Sequence, residues 1–128
     1  MRLLLDTHLA VWWQIAPGKV SASARTAIKE ANGAVFVSRA SLWELSIKAS
    51  RGKLELDLPW FCKQVADDGF EWLDIKQAHL LEVARLPLHA DHKDPFDRLL
   101  VAQSLTEPLI LLTTDGQLER YGSTIKLV

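Results

Sequence analysis

The chain has 128 residues, of which 48% are hydrophobic and 24% charged, with a formal net charge of −1. That is the size of one domain with enough apolar material for a real core, and residues 1–128 read as a single domain. A net charge this small excludes a protein that coats long nucleic acid by charge alone. No apolar run is long enough to span a bilayer, and the one cysteine, Cys62, rules out an internal disulfide and reads as a small buried hydrophobe.

The opening Met1-Arg2-Leu3-Leu4-Leu5-Asp6 has an apolar run that stops at Asp6 with no small-residue cleavage site, so it reads as a buried strand over Arg2–Leu5 and not as a secretion signal. A cytoplasmic protein is the expectation. His8–Ile15 follows as a helix that ends before Pro17, with Trp12 and Trp13 pointing about 100° apart. Core packing for both, or one in the core and one on a partner surface, are the two readings. Ser21–Ala31 is a second helix, stopped by Asn32-Gly33. Ala34–Val37 is the second strand, and Ser38 is placed to cap a helix over Arg39–Ser50. Lys53–Leu58 alternates leucines with charges, as a short edge strand or an extended loop. Pro59 opens a helix over Trp60–Asp68. Glu71–Ile75 is a third strand, and Gln77–Leu86 an amphipathic helix that stops at Pro87. Leu88–Lys93 is a polar loop with two histidines, and Asp94-Pro95 opens a helix to about Leu105. Leu109–Leu112, Gln117–Tyr121 and Thr124–Leu127 read as strand, short helix and strand. Alternation of short apolar runs with helical stretches gives an α/β fold, a three-layer α/β/α sandwich around a mainly parallel five-stranded sheet, with functional residues at the carboxyl ends of strands.

Four carboxylates stand where such a sheet brings side chains together. Asp6 ends the first strand, Glu44 lies in the second turn of the helix after the second, Asp97 opens the helix after the polar loop, and Asp115 follows the fourth strand. Clustered carboxylates repel one another unless a divalent cation is present. Hard oxygen donors without cysteine suit Mg²⁺ or Mn²⁺, which polarise a phosphodiester and lower the pKa of an attacking water. Each acid also has a plain structural reading. Asp6 and Asp115 are placed as helix cap and turn residue, Glu44 is spaced i, i+4 from Lys48 for an ion pair, and Asp97 is helix-start charge behind the cap Asp94.

Four segments resemble the motifs of PIN-domain ribonucleases. They are Leu3-Leu4-Leu5-Asp6-Thr7, Ser41-Leu42-Trp43-Glu44-Leu45, Asp94-Pro95-Phe96-Asp97-Arg98-Leu99-Leu100-Val101-Ala102-Gln103 and Leu112-Thr113-Thr114-Asp115. Order and spacing match along essentially the whole chain; the third motif is fairly specific and the first weak. The resemblance implies a central parallel sheet and Mg²⁺- or Mn²⁺-dependent hydrolysis of RNA, with Asp6, Glu44, Asp97 and Asp115 holding the metal. It points to the VapC-like toxins of type II toxin–antitoxin systems, which implies a small DNA-binding antitoxin as partner and a homodimer.

Around these acids, Thr7 and Thr113 are candidates to hold the carboxylates or a metal-bound water by hydrogen bonds, with backbone capping the equal plain reading, and Asp94 is either a support for them or a helix cap only, the cap being favoured. Arg39, Lys48, Arg51, Lys53, Lys93 and Arg98 flank the motifs and are candidates for phosphate contacts; a solvated charged face is the plain reading of each. His89 and His92 read as a solvated loop, with a substrate-side role the alternative and zinc disfavoured by the lack of further ligands.

Three other functions are weighed. A receiver-like signalling domain wants paired acids after the first strand and an aspartate ending the third, whereas Asp74 falls inside the expected strand. An aspartyl phosphatase wants an acid where His8 stands. A catalytically inactive PIN-like module, binding RNA or protein, is disfavoured by retention of all four acids.

Overall fold

The computed structural model describes residues 1–128. Strands Leu3–Leu5 (β1), Val35–Ser38 (β2), Glu71–Leu73 (β3), Ile110–Thr113 (β4) and Ile125–Leu127 (β5) form one sheet in the order β3-β2-β1-β4-β5. Every pairing is parallel, with Leu5 level with Val37 on one side and Leu112 on the other. The helices are Thr7–Ile15 (α1), Ala22–Glu30 (α2), Arg39–Ser50 (α3), Leu58–Asp67 (α4), Gln77–Arg85 (α5) and Pro95–Thr106 (α6), with 3₁₀ turns at Pro17–Lys19 and Gly116–Tyr121.

Strand side chains alternate between faces, and the central strand shows why a continuous apolar run is needed here. Leu3 and Leu5 enter a cluster of 15 buried residues with α1, α2 and α4, while Leu4 enters a second cluster of 12 with α6 and the Gly116–Tyr121 turn. Phe36 and Leu111 likewise face the second cluster, and Val35, Val37 and Leu112 the first. The three layers expected from the sequence are therefore present, and the sheet is wholly parallel.

Element ends differ from the expectation by a residue or two where local bonding decides them. Lys53–Leu58 forms no strand; Leu54 and Leu56, from an irregular segment, and Leu58, the first residue of α4, pack against the first cluster, and Asp57 caps α4 by accepting from Trp60 N at 3.0 Å, so the helix begins two residues earlier than expected. Trp12 and Trp13 are both half-buried against that same cluster. Strand β3 ends at Leu73, so Asp74 follows the strand instead of lying inside it, and there it pairs with Arg39 at 3.2 Å. A receiver-like domain is excluded instead by connectivity: its strand order is 2-1-3-4-5, whereas β1 here sits between β2 and β4.

The chain leaves β1 towards β2 and β3 and later returns to β4 and β5 on the other side of β1. The crevice at the carboxyl ends of β1 and β4 is thus the topological switch point, where open α/β sheets bind ligands.

Candidate active site

Asp6, Glu44, Asp97 and Asp115 meet at that switch point, around a recess of about 120 Å³ lined also by Thr7, His8, Lys48, Asp94 and Thr114. No hydrophobic side chain lines it. A larger cavity of about 410 Å³, lined by Leu88, His89, Ala90, His92, Lys93 and Arg98, holds no carboxylate.

Each acid keeps its plain structural duty with part of its carboxylate. Asp6 caps α1 through Oδ1, accepting from Leu9 N at 2.9 Å, and Oδ2 accepts from Thr113 Oγ1 at 2.6 Å. Thr113 in turn accepts from Asp115 N at 3.0 Å, so one hydroxyl ties the first acid to the backbone of the fourth. Asp115 Oδ1 caps the 3₁₀ turn at Gln117 N, 2.9 Å away. Glu44 is buried; Oε1 lies 2.8 Å from Thr7 Oγ1 and Oε2 pairs with Lys48 Nζ at 3.1 Å. Thr7 Oγ1 also lies 2.9 Å from Ser41 Oγ. Its single proton goes to the carboxylate, which can only accept, so Ser41 is the donor to Thr7. Asp94 Oδ1 caps α6 by accepting from Phe96 N and Asp97 N at 2.8 and 3.1 Å, and Asp94 also borders the recess. The cap reading of Asp94 holds, and its charge acts on Asp97 as well.

Crowding and burial show in the proton affinities. Asp97 is pushed up to about 6, first by burial and then by the Asp94 charge, with Glu44 adding to it and His92 opposing. Burial also raises Asp6, against the lowering hydrogen bonds from Thr113 and Leu9 N. Lys48 is the one Lys or Arg lining the recess. Five carboxylates, Asp94 included, facing a single cation hold surplus negative charge at neutral pH, and a carboxylate donor set of this kind fits Mg²⁺ or Mn²⁺.

Among the flanking basic residues, Lys48 and Arg51 line a groove next to the recess with Ile47 and Phe96. Lys93 is exposed at the second cavity, and Lys53 is exposed. Arg39 is engaged with Asp74 and lies over the Trp72 ring at 4.3 Å. Arg98 is not a surface contact. It is 9% exposed and donates to Pro87 O, Val83 O and Tyr121 Oη, because its position on α6 points inward against the end of α5. His92 is likewise buried rather than solvated, bonded to Tyr121 and Asp97. Ser41 and His8 are site neighbours to which the sequence assigns no role, and His92 is one that it reads only as a loop residue. Ser41 carried a signal, since it stands one helical turn before Glu44.

The chain is similar to known proteins along essentially its whole length. The family described as "PIN domain" matches residues 3–123. Ribonuclease VapC22 of Mycobacterium tuberculosis is 28% identical to the chain, over 93% of it and 91% of that protein. Among solved structures, VapBC2 of Rickettsia felis bound to a promoter DNA fragment aligns with 100% of this chain and 98% of its own at a TM-score of 0.67 and 16% identity. A toxin–antitoxin complex of Klebsiella pneumoniae aligns with 97% of this chain and 95% of its own, with TM-score 0.67 and 15% identity. DNA-bound VapBC of Salmonella typhimurium aligns with 100% and 97%, with TM-score 0.67 and 14% identity. With the family match running from β1 to the end of the last 3₁₀ turn, the chain belongs to the PIN domain family.

Proposed function

We propose that this protein is a Mg²⁺- or Mn²⁺-dependent endoribonuclease that acts as the toxin of a toxin–antitoxin pair. The observation that carries the reading is the convergence of Asp6, Glu44, Asp97 and Asp115, from four separate segments, on one polar recess at the sheet's switch point. The relative named as a ribonuclease and the neighbours named as toxin–antitoxin complexes support the biological role.

Asp6, Glu44, Asp97 and Asp115 would hold the cation. When bound, it supplies Lewis-acid polarisation of the phosphodiester and a lowered pKa for the attacking water. The chain's own contribution is orientation. Thr113 and Thr7 fix the carboxylates of Asp6 and Glu44, and capping bonds fix Asp94 and Asp115. Lys48 and Arg51 beside the recess are placed to take neighbouring phosphates, which positions RNA without reading its sequence. Arg39, engaged with Asp74 and Trp72, and Lys93, at the larger cavity, line neither the recess nor the groove beside it, and the buried Arg98 has no part in it.

The partners follow from the same reading: RNA as substrate, a small antitoxin that suppresses the activity, and a second copy of the chain. No helix is long and apolar enough to cross a membrane. Exposed Leu80 and Leu81 on α5 give a second copy apolar surface to cover. Incubation of purified protein with total cellular RNA, with Mg²⁺ or with chelator, tests the activity. The expected cuts need metal and leave a 5′-phosphate and a 3′-hydroxyl. Cuts that persist in chelator, or that end in a cyclic phosphate, contradict it. Growth arrest on expression of wild type, absent with Asp6→Ala at matched level, tests the toxin role.

A further inference from the structure

Behind the acids runs a buried chain of side chains that the proposed chemistry does not use. Arg98 Nη1 lies 3.2 Å from Tyr121 Oη, Tyr121 Oη lies 3.0 Å from His92 Nδ1, and His92 Nε2 lies 3.3 Å from Asp97 Oδ2. Arg98, His92 and Tyr121 are 9%, 6% and 8% exposed, so water does not substitute freely for these partners. The far end is fixed: Arg98 also donates to Pro87 O at 2.8 Å and Val83 O at 3.4 Å, at the close of α5.

The direction of this chain follows from donor chemistry. A guanidinium only donates, so Tyr121 Oη accepts from Arg98. The phenol's own proton then has one acceptor within reach, His92 Nδ1. With Nδ1 accepting, the neutral imidazole carries its proton on Nε2, aimed at Asp97 Oδ2. The reverse tautomer leaves the Tyr121 proton buried without a partner and sets an Nε2 lone pair against a carboxylate, and both cost free energy.

We infer that His92 is a positioning residue: Arg98 and Tyr121 hold it as the Nε2–H tautomer, which pins Asp97 Oδ2 and leaves Oδ1 for the cation. Asp97 Oδ1 makes no hydrogen bond of its own. The same assignment decides a second question. His92, Asp97 and Asp115 bring ligand atoms within 4.8 Å of one another and so resemble a three-residue metal site. An Nε2 that carries a proton has no lone pair to give, so His92 supports the acid instead of binding the ion. The inference rests on the reading of Asp97 as a cation ligand. Outer partners of metal ligands are worth about 10–100-fold in metal affinity.

Long-range ¹H–¹⁵N correlation spectra of the metal-free protein read the tautomer directly, and calorimetric titration reads Mn²⁺ affinity. Wild type is expected to show His92 protonated at Nε2 only. Tyr121→Phe is expected to remove that preference and to weaken Mn²⁺ binding about 10–100-fold. His92→Gln, whose amide N–H reaches towards the Nε2 position, should keep more affinity than His92→Ala. Thermal melts of Tyr121→Phe establish that it is folded. An Nδ1–H tautomer in wild type, or a His92 Nε2 resonance displaced by diamagnetic Zn²⁺ in the manner of a ligand, overturns the inference. So does wild-type Mn²⁺ affinity in both Tyr121→Phe and His92→Ala while wild type itself binds Mn²⁺ and cuts RNA. A wild type that neither binds Mn²⁺ nor cuts RNA, yet shows the expected tautomer, overturns the functional reading and with it the role given to His92.

Discussion

Thr113 Oγ1 donates to Asp6 Oδ2 at 2.6 Å, joining residues 107 apart in sequence. The bond crosses between neighbouring parallel strands at the point where both end, and the same oxygen receives Asp115 N. Thr113→Val keeps the shape and removes both bonds. The buried Asp6 acceptor then loses a partner, which costs about 1–3 kcal/mol, and the part-buried Asp115 N–H loses one as well. The variant is expected to melt lower and to bind Mn²⁺ about 10–100-fold more weakly. Melting and titration of the same sample check both; unchanged affinity removes Thr113 from the support of the site.

Glu44, buried on α3, pairs with the part-exposed Lys48 and also faces the acid recess, and a single substitution separates the two roles. As only half of an i, i+4 pair, Glu44→Gln should cost about 0.3–0.5 kcal/mol and leave activity alone. As a cation ligand, the variant should be at least as stable as wild type in chelator, because repulsion with Asp97 is relieved. It should also lose most of the stabilisation that wild type gains from Mn²⁺, and its RNA cleavage. Melts with chelator and with Mn²⁺ give opposite signs for the two roles.

The raised carboxyls set a pH dependence in the metal-free protein. Asp97 binds its proton up to about pH 6 when folded, against 3.8 ordinarily, and burial moves Asp6 the same way. Folding therefore favours the protonated acids. Their contribution is complete below the unfolded value and is lost as pH rises through the folded one. Between about pH 5 and 7 the metal-free protein should lose on the order of 1 kcal/mol from Asp97, after discounting for screening. Mn²⁺ requires the ionised acids, so its binding should reverse the trend. Melting temperatures at pH 5 and pH 7 in chelator that are equal, or higher at pH 7, count against this electrostatic account.

Arg98 gives the test of a surface reading against a buried one. An RNA contact would tolerate Arg98→Lys with normal stability and weaker binding. The observed guanidinium serves Pro87 O, Val83 O and Tyr121 Oη at once, a fork that an ammonium does not reproduce. Arg98→Lys is expected to destabilise by about 1–3 kcal/mol, read from urea unfolding. A variant with wild-type stability contradicts the buried role.

Much of this protein is written locally. Leu3-Leu4-Leu5 declares a strand buried on both faces, Asp94-Pro95 declares a helix start, and the order of the four acid motifs declares the family, because each depends on neighbours within a few residues. Tertiary structure decided what depends on partners far along the chain. Spacing made Glu44 half of an ion pair or a site acid, and the fold makes it both, since Lys48 lies one turn away while Thr7 arrives from another helix. Arg98 and Lys93 are alike as isolated charges; only the packing of α6 against the end of α5 turns one inward and leaves the other in solvent. His92 reads as loop polarity until Tyr121 and Asp97 close on either side of its ring. Burial and hydrogen-bond direction belong to pairs of residues brought together by the sheet's crossovers, and local sequence carries no record of those pairs.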